Sequence, residues 1–335
     1  MMNYLNALVA FLNFVVVPAL SYGSQLAIGA LGVTLIFGIL RFSNFAWGDT
    51  MAFGTTLVIL LTWWFTSMGI NFGPLPTALL ALPLAFVGTA ALMLLTDKWV
   101  YQFYRKQKAK PIILVIVSAG VMFIMNGLVR LIIGTQEQNF ADGERFVLSA
   151  QAFKDWSGLA EGLAIKTTTA VTLVTAIAVM AALFWFLQKT RTGKSMRAFS
   201  DNEDLALLSG INPDRVVQVT WIIAAALAVI AGTLYGLDKS FRPFIYFSML
   251  LPIFAAAVVG GLGSPLGAVA GAYVVAFSEI VVTYAWKKVL GYILPSEWAP
   301  EGLTQLLSTD YKFAVSFSIL IIVLLFMPTG LFKGK

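Results

Sequence analysis

Thr192-Gly193-Lys194-Ser195 closes as a phosphate-cradling loop closes, G-x-x-x-x-G-K-[ST], and the chemistry on offer would be nucleotide binding. The first glycine of that pattern would fall at position 188, where the chain has Gln188. The residues before it form an apolar run of membrane type, whereas the motif needs a preceding strand. The chain therefore has no nucleotide site of its own. Two acids, Asp49 and Glu279, fall inside apolar runs, where an ionisable group is costly and is a functional hypothesis by default. Asp49 could pair with Arg41; Glu279 could face a pathway or a partner subunit; either could bind a proton or Na⁺. An intramembrane aspartyl protease would need G-x-G-D, and Ala46-Trp47-Gly48-Asp49 lacks its first glycine. The 335 residues include no cysteine and no histidine, which removes thiol chemistry, disulfides, thiolate metal sites and histidine acid–base catalysis. The expectation is a protein that is not an enzyme and binds no metal.

The elements that carry these residues are membrane helices. Hydrophobic residues make up 59% of the chain and charged ones only 11%, against roughly a quarter charged in soluble domains. The apolar runs are continuous, not alternating, and several reach the about 20 residues that a crossing helix needs. Helices fit and an outer-membrane barrel does not. An N-terminal segment at about 4–17 is set apart from the next run by Pro18 and Ser21-Tyr22-Gly23-Ser24. Spans are expected at about 19–40, 50–66, 77–96, 112–133, 168–187, 217–237, 246–262, 266–286 and 313–329. Two polar, glycine-containing interruptions, 43–49 and 260–265, fall in matching places in the two halves. The fold class is an all-α polytopic membrane protein, a single transmembrane domain over 1–335, with about eight transmembrane helices and two Gly-interrupted or re-entrant segments. The N-terminus has no basic region or A-x-A site and is expected to be retained.

Basic residues set the sidedness. Placing 97–111, 188–216, Arg41 and the C-terminus, with Lys333 and Lys335, in the cytoplasm puts thirteen of the 22 Lys and Arg inside. The segments 135–167, with its excess of acids, and 287–312 then face outward. The net charge of +6 reflects this bias and not a nucleic-acid partner. Trp47, Trp63, Trp64, Trp99, Trp286 and Trp298 are expected to lie in the interfacial belt.

The segment 188–216 is the longest soluble-looking stretch. Within it Asp201–Gly210 reads as a short helix: Asp201 or Asn202 as N-cap, Glu203 and Asp204 in the first turn, Gly210 just past its end. Leu205, Leu208 and Ile211 make one apolar edge beside Ala206. Acids on such a helix fit a protein groove better than anionic headgroups. Asn44, Gly48, Gly261, Gly263 and Ser264, at the two interruptions, together with Asp49 and Glu279, are the candidates for lining a substrate path. Close glycine-mediated helix packing is the plain alternative at those positions.

The run Gly193-Lys-Ser-Met-Arg197-Ala198…Asp201-Asn202…Ala206…Leu208…Gly210-Ile211-Asn212…Arg215 resembles the cytoplasmic loop of branched-chain amino acid ABC transporter permeases of the LivH type. Asn44-Phe-Ala-Trp-Gly48-Asp49, Ala256 through Ala268, and Met327-Pro328-Thr329-Gly330-Leu331 are similar to further stretches of that family. Asp204-Leu205-Ala206-x-x-x-Gly210 loosely resembles the E-A-A-x-x-x-G loop of ABC importers, with leucine in place of the first alanine. The resemblance implies a permease subunit of a bacterial inner-membrane importer of branched-chain or other hydrophobic amino acids. It implies a related second permease (LivM-type), two cytoplasmic ATPase subunits that use ATP and Mg, and an extracytoplasmic substrate-binding protein, with no cofactor on this chain. Arg197 and the 201–211 residues would then couple to an ATPase, and Ala206→Glu or Gly210→Pro would release the ATPase from a folded chain. The alternatives are a permease of this kind for urea or short amides, and an ion-coupled secondary carrier.

Overall fold

A chain this apolar cannot satisfy its backbone from lipid, so its long runs close their hydrogen bonds within helices. In the computed structural model, which describes residues 2–294, 302, 304–327 and 329–332, nine helical segments among the described residues are long and apolar enough to cross a membrane. Pro328, Trp298, Lys333 and Lys335, with part of the 287–312 loop, lie outside the described residues. The all-α polytopic expectation is met, and each of the nine runs expected as spans falls on one of these nine segments. Each interruption is a short loop between two long helices.

In order, the helices are α1 (Met2–Phe11), α2 (Val17–Leu40), α3 (Trp47–Ser67), α4 (Ala78–Thr96), α5 (Gln102–Lys106), α6 (Pro111–Ile133), α7 (Ala150–Ser157), α8 (Thr167–Lys189), α9 (Arg191–Asp201), α10 (Glu203–Leu208), α11 (Pro213–Lys239), α12 (Pro243–Gly260), α13 (Pro265–Thr283), α14 (Lys287–Ile293) and α15 (Lys312–Phe326). A two-stranded antiparallel hairpin, β1 (Phe146–Leu148) with β2 (Ile165–Lys166), lies between α6 and α8. Proline opens α6, α11, α12 and α13, where its missing N–H costs no helical bond and its fixed φ suits the first turn. Alternation of the nine candidate spans among the described residues gathers α9, α10 and the starts of α6 and α11 at one end of the bundle, hereafter the α10 end. The hairpin, α7 and α14 lie at the other.

Pro18 does not divide the N-terminal run. The helix runs unbroken over Met2–Leu40, with a π-helical stretch at Leu12–Val16 in which the Val17 N–H donates to Leu12 O, five residues back. The wider turn accommodates the proline ring, which would clash with a regular helix. Ser21–Ser24 are all buried in the same helix. α2 is the axis of the bundle, packed against α8, α11, α12 and α13. Trp47 is fully buried, not in the interfacial belt: a Cβ at Gly32 would lie 2.1 Å from its indole, so only glycine in α2 lets this ring in. Trp63, Trp64 and Trp99 are exposed.

At the end opposite α10, α1 is clamped to the loop before β2 and to α14. Asn6 and Asn13 accept from the backbone N–H of Glu161 (3.3 Å) and Ala164 (2.9 Å). Glu161 accepts from Tyr292 at 2.7 Å and pairs with Lys288 at 2.8 Å. Burial alone would raise the Glu161 carboxyl, but the Lys288 and Tyr292 bonds outweigh it and hold it below the ordinary range. A depressed carboxyl stabilises above its unfolded pKa, and that contribution is lost as pH falls through the folded value. The clamp is thus expected to be complete at neutral pH and to open only in acid, below the range in which an ordinary glutamate titrates. Spin labels on α1 and α14 of the cysteine-free chain should separate in that acid, and Glu161→Gln should remove the response.

Candidate functional site

The short helix foreseen in the 188–216 segment is present as two pieces. Thr190 caps α9, its Oγ1 accepting from Gly193 N at 3.0 Å. Gly193 lies so close to α8 that a Cβ would sit 2.2 Å from Phe186 O, which fixes α9 to the end of that span. Of the two candidate caps, Asn202 takes the role for α10, its Oδ1 accepting from Leu205 N at 3.0 Å. Glu203 and Asp204 occupy the first turn. Gly210 follows at φ +78°, in the left-handed region that suits glycine, and its N–H donates to Leu207 O. Proline at 210 could satisfy neither the φ nor the bond, so Gly210→Pro would disrupt the loop itself.

Around that scaffold Leu205 is 60% and Leu208 85% exposed, with Leu207 also exposed. Arg197, Asp201, Asn202 and Asp204 are exposed, and Ile211 is partly so. Ala206 is the exception: it is buried against its own chain, so Ala206→Glu would damage the loop as well as its surface. At its far end α9 is stitched to α2. Ser200 Oγ donates to Gly38 O at 3.0 Å, and the Arg41 guanidinium donates to Ser200 O.

Arg41 is thereby unavailable to Asp49. The Asp49 carboxylate instead accepts from Asn126 Nδ2 at 2.7 Å. The first interruption is an Asx-type turn: Asn44 Oδ1 accepts from Ala46 N at 3.0 Å and from the Tyr101 hydroxyl at 3.4 Å. Phe45 N donates to Ser118 Oγ, seven residues into α6, which sets the turn roughly 10 Å inside the bundle from the α10 end. Tyr101 stacks on Trp221, whose indole N–H donates to Asp97 at 2.7 Å, and Asp97 is also paired with Arg105. Asp97→Ala would strand a buried N–H and a mostly buried guanidinium. The expected cost is about 3 kcal/mol, the low end for breaking a buried pair, because Arg105 keeps 21% of its side chain exposed. Thermal unfolding in detergent measures it, and Asp97→Asn should recover part by keeping an acceptor for Trp221.

The second interruption has a different environment. Gly48 packs on the backbone of Tyr246, whereas Gly261 is covered by the C-terminal segment: Leu331 N donates to Val259 O at 2.8 Å and Phe332 N to Gly260 O at 3.1 Å. Ser264 caps α13, its Oγ accepting from Gly267 N at 3.2 Å, and Gly263 is exposed. Two of the stretches picked out in the sequence, 256–268 and the described part of 327–331, therefore pack backbone on backbone. The seven candidate path residues do not share one cavity.

Glu279 lies elsewhere, in a cavity of about 830 Å³ at the end opposite α10. Its Oε1 accepts from Ser316 Oγ on α15. Ser21 and Tyr22 of α2 and Lys312 at the start of α15 line the same cavity. The sequence marks Ser21 and Tyr22 only as part of a break in an apolar run, and gives Ser316 and Lys312 no signal beyond a lysine opening the last span.

The family model described as branched-chain amino acid transport system / permease component matches residues 15–324. The high-affinity branched-chain amino acid transport system permease protein LivH of Salmonella typhimurium is 30% identical over 316 residues, 92% of this chain and 91% of that protein. BraD of Pseudomonas aeruginosa, named as a permease protein of the same kind of system, is 27% identical, covering 94% of each chain. A probable LivH of Methanocaldococcus jannaschii is 29% identical over 79% of each. Among solved structures, PsaBC from Streptococcus pneumoniae in complex with Fab covers 92% of this chain and 89% of that chain at 14% identity and TM-score 0.46, too distant to place any residue's role. A helical bundle with nine candidate spans among its described residues, matched along nearly all of its length by this family, is a member of it: the chain belongs to the branched-chain amino acid transport permease family.

Proposed function

We propose that this chain is a permease subunit of an ABC importer that moves branched-chain amino acids inward across a bacterial plasma membrane. In this reading the α10 end and the C-terminus face the cytoplasm, and the hairpin and α14 face outward. A related second permease completes the path, two cytoplasmic ATPases use ATP and Mg, and an external binding protein delivers substrate. The observation that carries the reading is α10: a capped helix on the surface with acids in its first turn and Leu205, Leu207 and Leu208 turned out to solvent. Large leucines left exposed on a charged loop suit a protein groove. The Gly193 contact with α8 and the Arg41–Ser200–Gly38 stitch to α2 would pass movement of that groove to two spans. Such a two-state element, biased by a distant nucleotide, is what coupling requires.

Reconstitution tests it. Vesicles holding this chain with its partner subunits should accumulate leucine only with ATP on the α10 side and the binding protein on the other, and the chain alone should not transport. Uptake driven by an ion gradient without ATP would reject the importer in favour of a secondary carrier.

A further inference from the structure

The 830 Å³ cavity falls within the about 300–1,000 Å³ typical of small-molecule sites. On residues of its wall that are 3%, 8% and 2% exposed, Ser21 Oγ, Tyr22 Oη and Glu279 Oε2 are buried with no hydrogen bond of ordinary geometry, the Tyr22 hydroxyl and the Glu279 carboxylate facing each other at longer range. Buried polar atoms in a folded protein are ordinarily bonded, and unsatisfied ones beside a cavity mark a place where a polar ligand can be received. Glu279 and Lys312 lie within electrostatic reach of each other yet form no ion pair within 4.0 Å; the Lys312 ammonium sits instead over the Tyr22 ring (5.8 Å) and the Phe313 ring (4.8 Å). An acid and a base held apart can each receive the opposite charge of one small molecule. Val17, Ile245 and Ile280 supply an apolar part of the wall, which also carries Lys166, Asp310 and the pair Asp238 and Lys239, 3.4 Å apart.

We propose that this cavity binds a free aliphatic α-amino acid within a single subunit, its ammonium on Glu279 with Ser21 and Tyr22, its carboxylate on Lys312, and its side chain against Val17, Ile245 and Ile280. A cation alone would leave Lys312 unanswered, and a neutral amide would leave both charges so. The assignment deepens the permease reading and rests on it for the choice of amino acid.

The chain has no cysteine, so a single introduced thiol reports without background. Ser248, partly buried and lining the cavity, and Thr309, exposed at its rim, serve as two independent sites. The full-length Ser248→Cys and Thr309→Cys chains in lipid nanodiscs are reacted with a small uncharged, water-soluble thiol reagent. L-leucine at millimolar concentration should slow labelling of at least one of them fivefold or more. Isopentylamine, which keeps only the ammonium, and 4-methylpentanoate, which keeps only the carboxylate, should each slow it less than twofold. Adding Glu279→Gln or Lys312→Met should abolish protection while the unprotected labelling rate stays the same, the sign that the cavity itself is intact. Absence of labelling at both positions, absence of protection by leucine, equal protection by a one-charge analogue, or protection that survives both substitutions would each overturn the proposal. ATP-driven leucine uptake with an unprotected cavity would sink this site and leave the permease reading standing. A protected cavity in a chain that never supports ATP-driven uptake would do the reverse.

Discussion

Leu208→Glu is expected to abolish ATP-driven uptake while leaving a stable, membrane-inserted chain. The side chain is 85% exposed, so the folded subunit loses almost nothing, within about 0.5 kcal/mol. Seated in a groove of an ATPase, however, the same position would bury a carboxylate where a leucine belonged. Truncating or charging an anchor of that kind costs about 2–4 kcal/mol, roughly 30-fold or more in affinity. Two measurements check it: co-purification of the ATPases should fall to background, and the thermal unfolding temperature of the isolated chain should not move. Leu205→Glu, at 60% exposure, should act in the same direction with a smaller effect. Retained ATPases together with normal uptake would remove α10 from the coupling surface.

Gly260→Val is expected to be the most damaging single change to the fold. A Cβ at Gly260 would lie 2.0 Å from Gly267 O, and one at Gly267 would lie 2.2 Å from Gly260 O. α12 and α13 thus touch backbone to backbone, the small-residue contact on which membrane helices rely in place of a hydrophobic drive. Overpacking a core costs about 1–3 kcal/mol when side chains can give way. Here the obstacle is main chain on both sides, and the C-terminal segment, through Phe332 N to Gly260 O, must move as well. Yield of monodisperse protein and unfolding temperature should both drop sharply for Gly260→Val, and less for Gly260→Ala. Gly263→Ala, where a Cβ would meet nothing within 4 Å, needs only its φ of +86° accommodated and serves as the milder control.

What can be read from the chain is whatever is settled locally or by composition. Helical spans follow from apolar run length, and the α10 cap follows from Asn202, two acids and a glycine within nine residues, because capping needs only the next turn. Sequence reasoning fails where a distant partner decides. Asp49 has Arg41 eight positions away as its natural partner, but the bundle sets it against Asn126, 77 positions away, and gives Arg41 to Ser200. Pro18 has the look of a boundary because a regular helix cannot hold it, whereas a π-helical stretch just before it lets the buried helix continue. Trp47 carries the signature of an interfacial anchor, and only the missing side chain at Gly32, on another helix, makes room for it inside. The cavity is invisible for the same reason: α2, α13 and α15 bring Ser21, Glu279 and Lys312 together from the two ends of the chain.

The unhinged run over Met2–Leu40 has a geometric consequence. Under the proposed coupling, a rod held by α9 at Gly38 and Arg41 would act as a lever, and Tyr22 lies 16 residues from Gly38, roughly 24 Å at 1.5 Å per residue. Swinging that rod by about 5° would carry Tyr22 about 2 Å, enough to make or break a hydrogen bond. A hinge at Pro18 would change nothing between these two points, but one between Tyr22 and Gly38 would absorb the stroke. Stiffness along that stretch is thus a dimension of the machine, and a glycine pair inserted by substitution at Leu31 and Val33 would shorten its reach without touching either end.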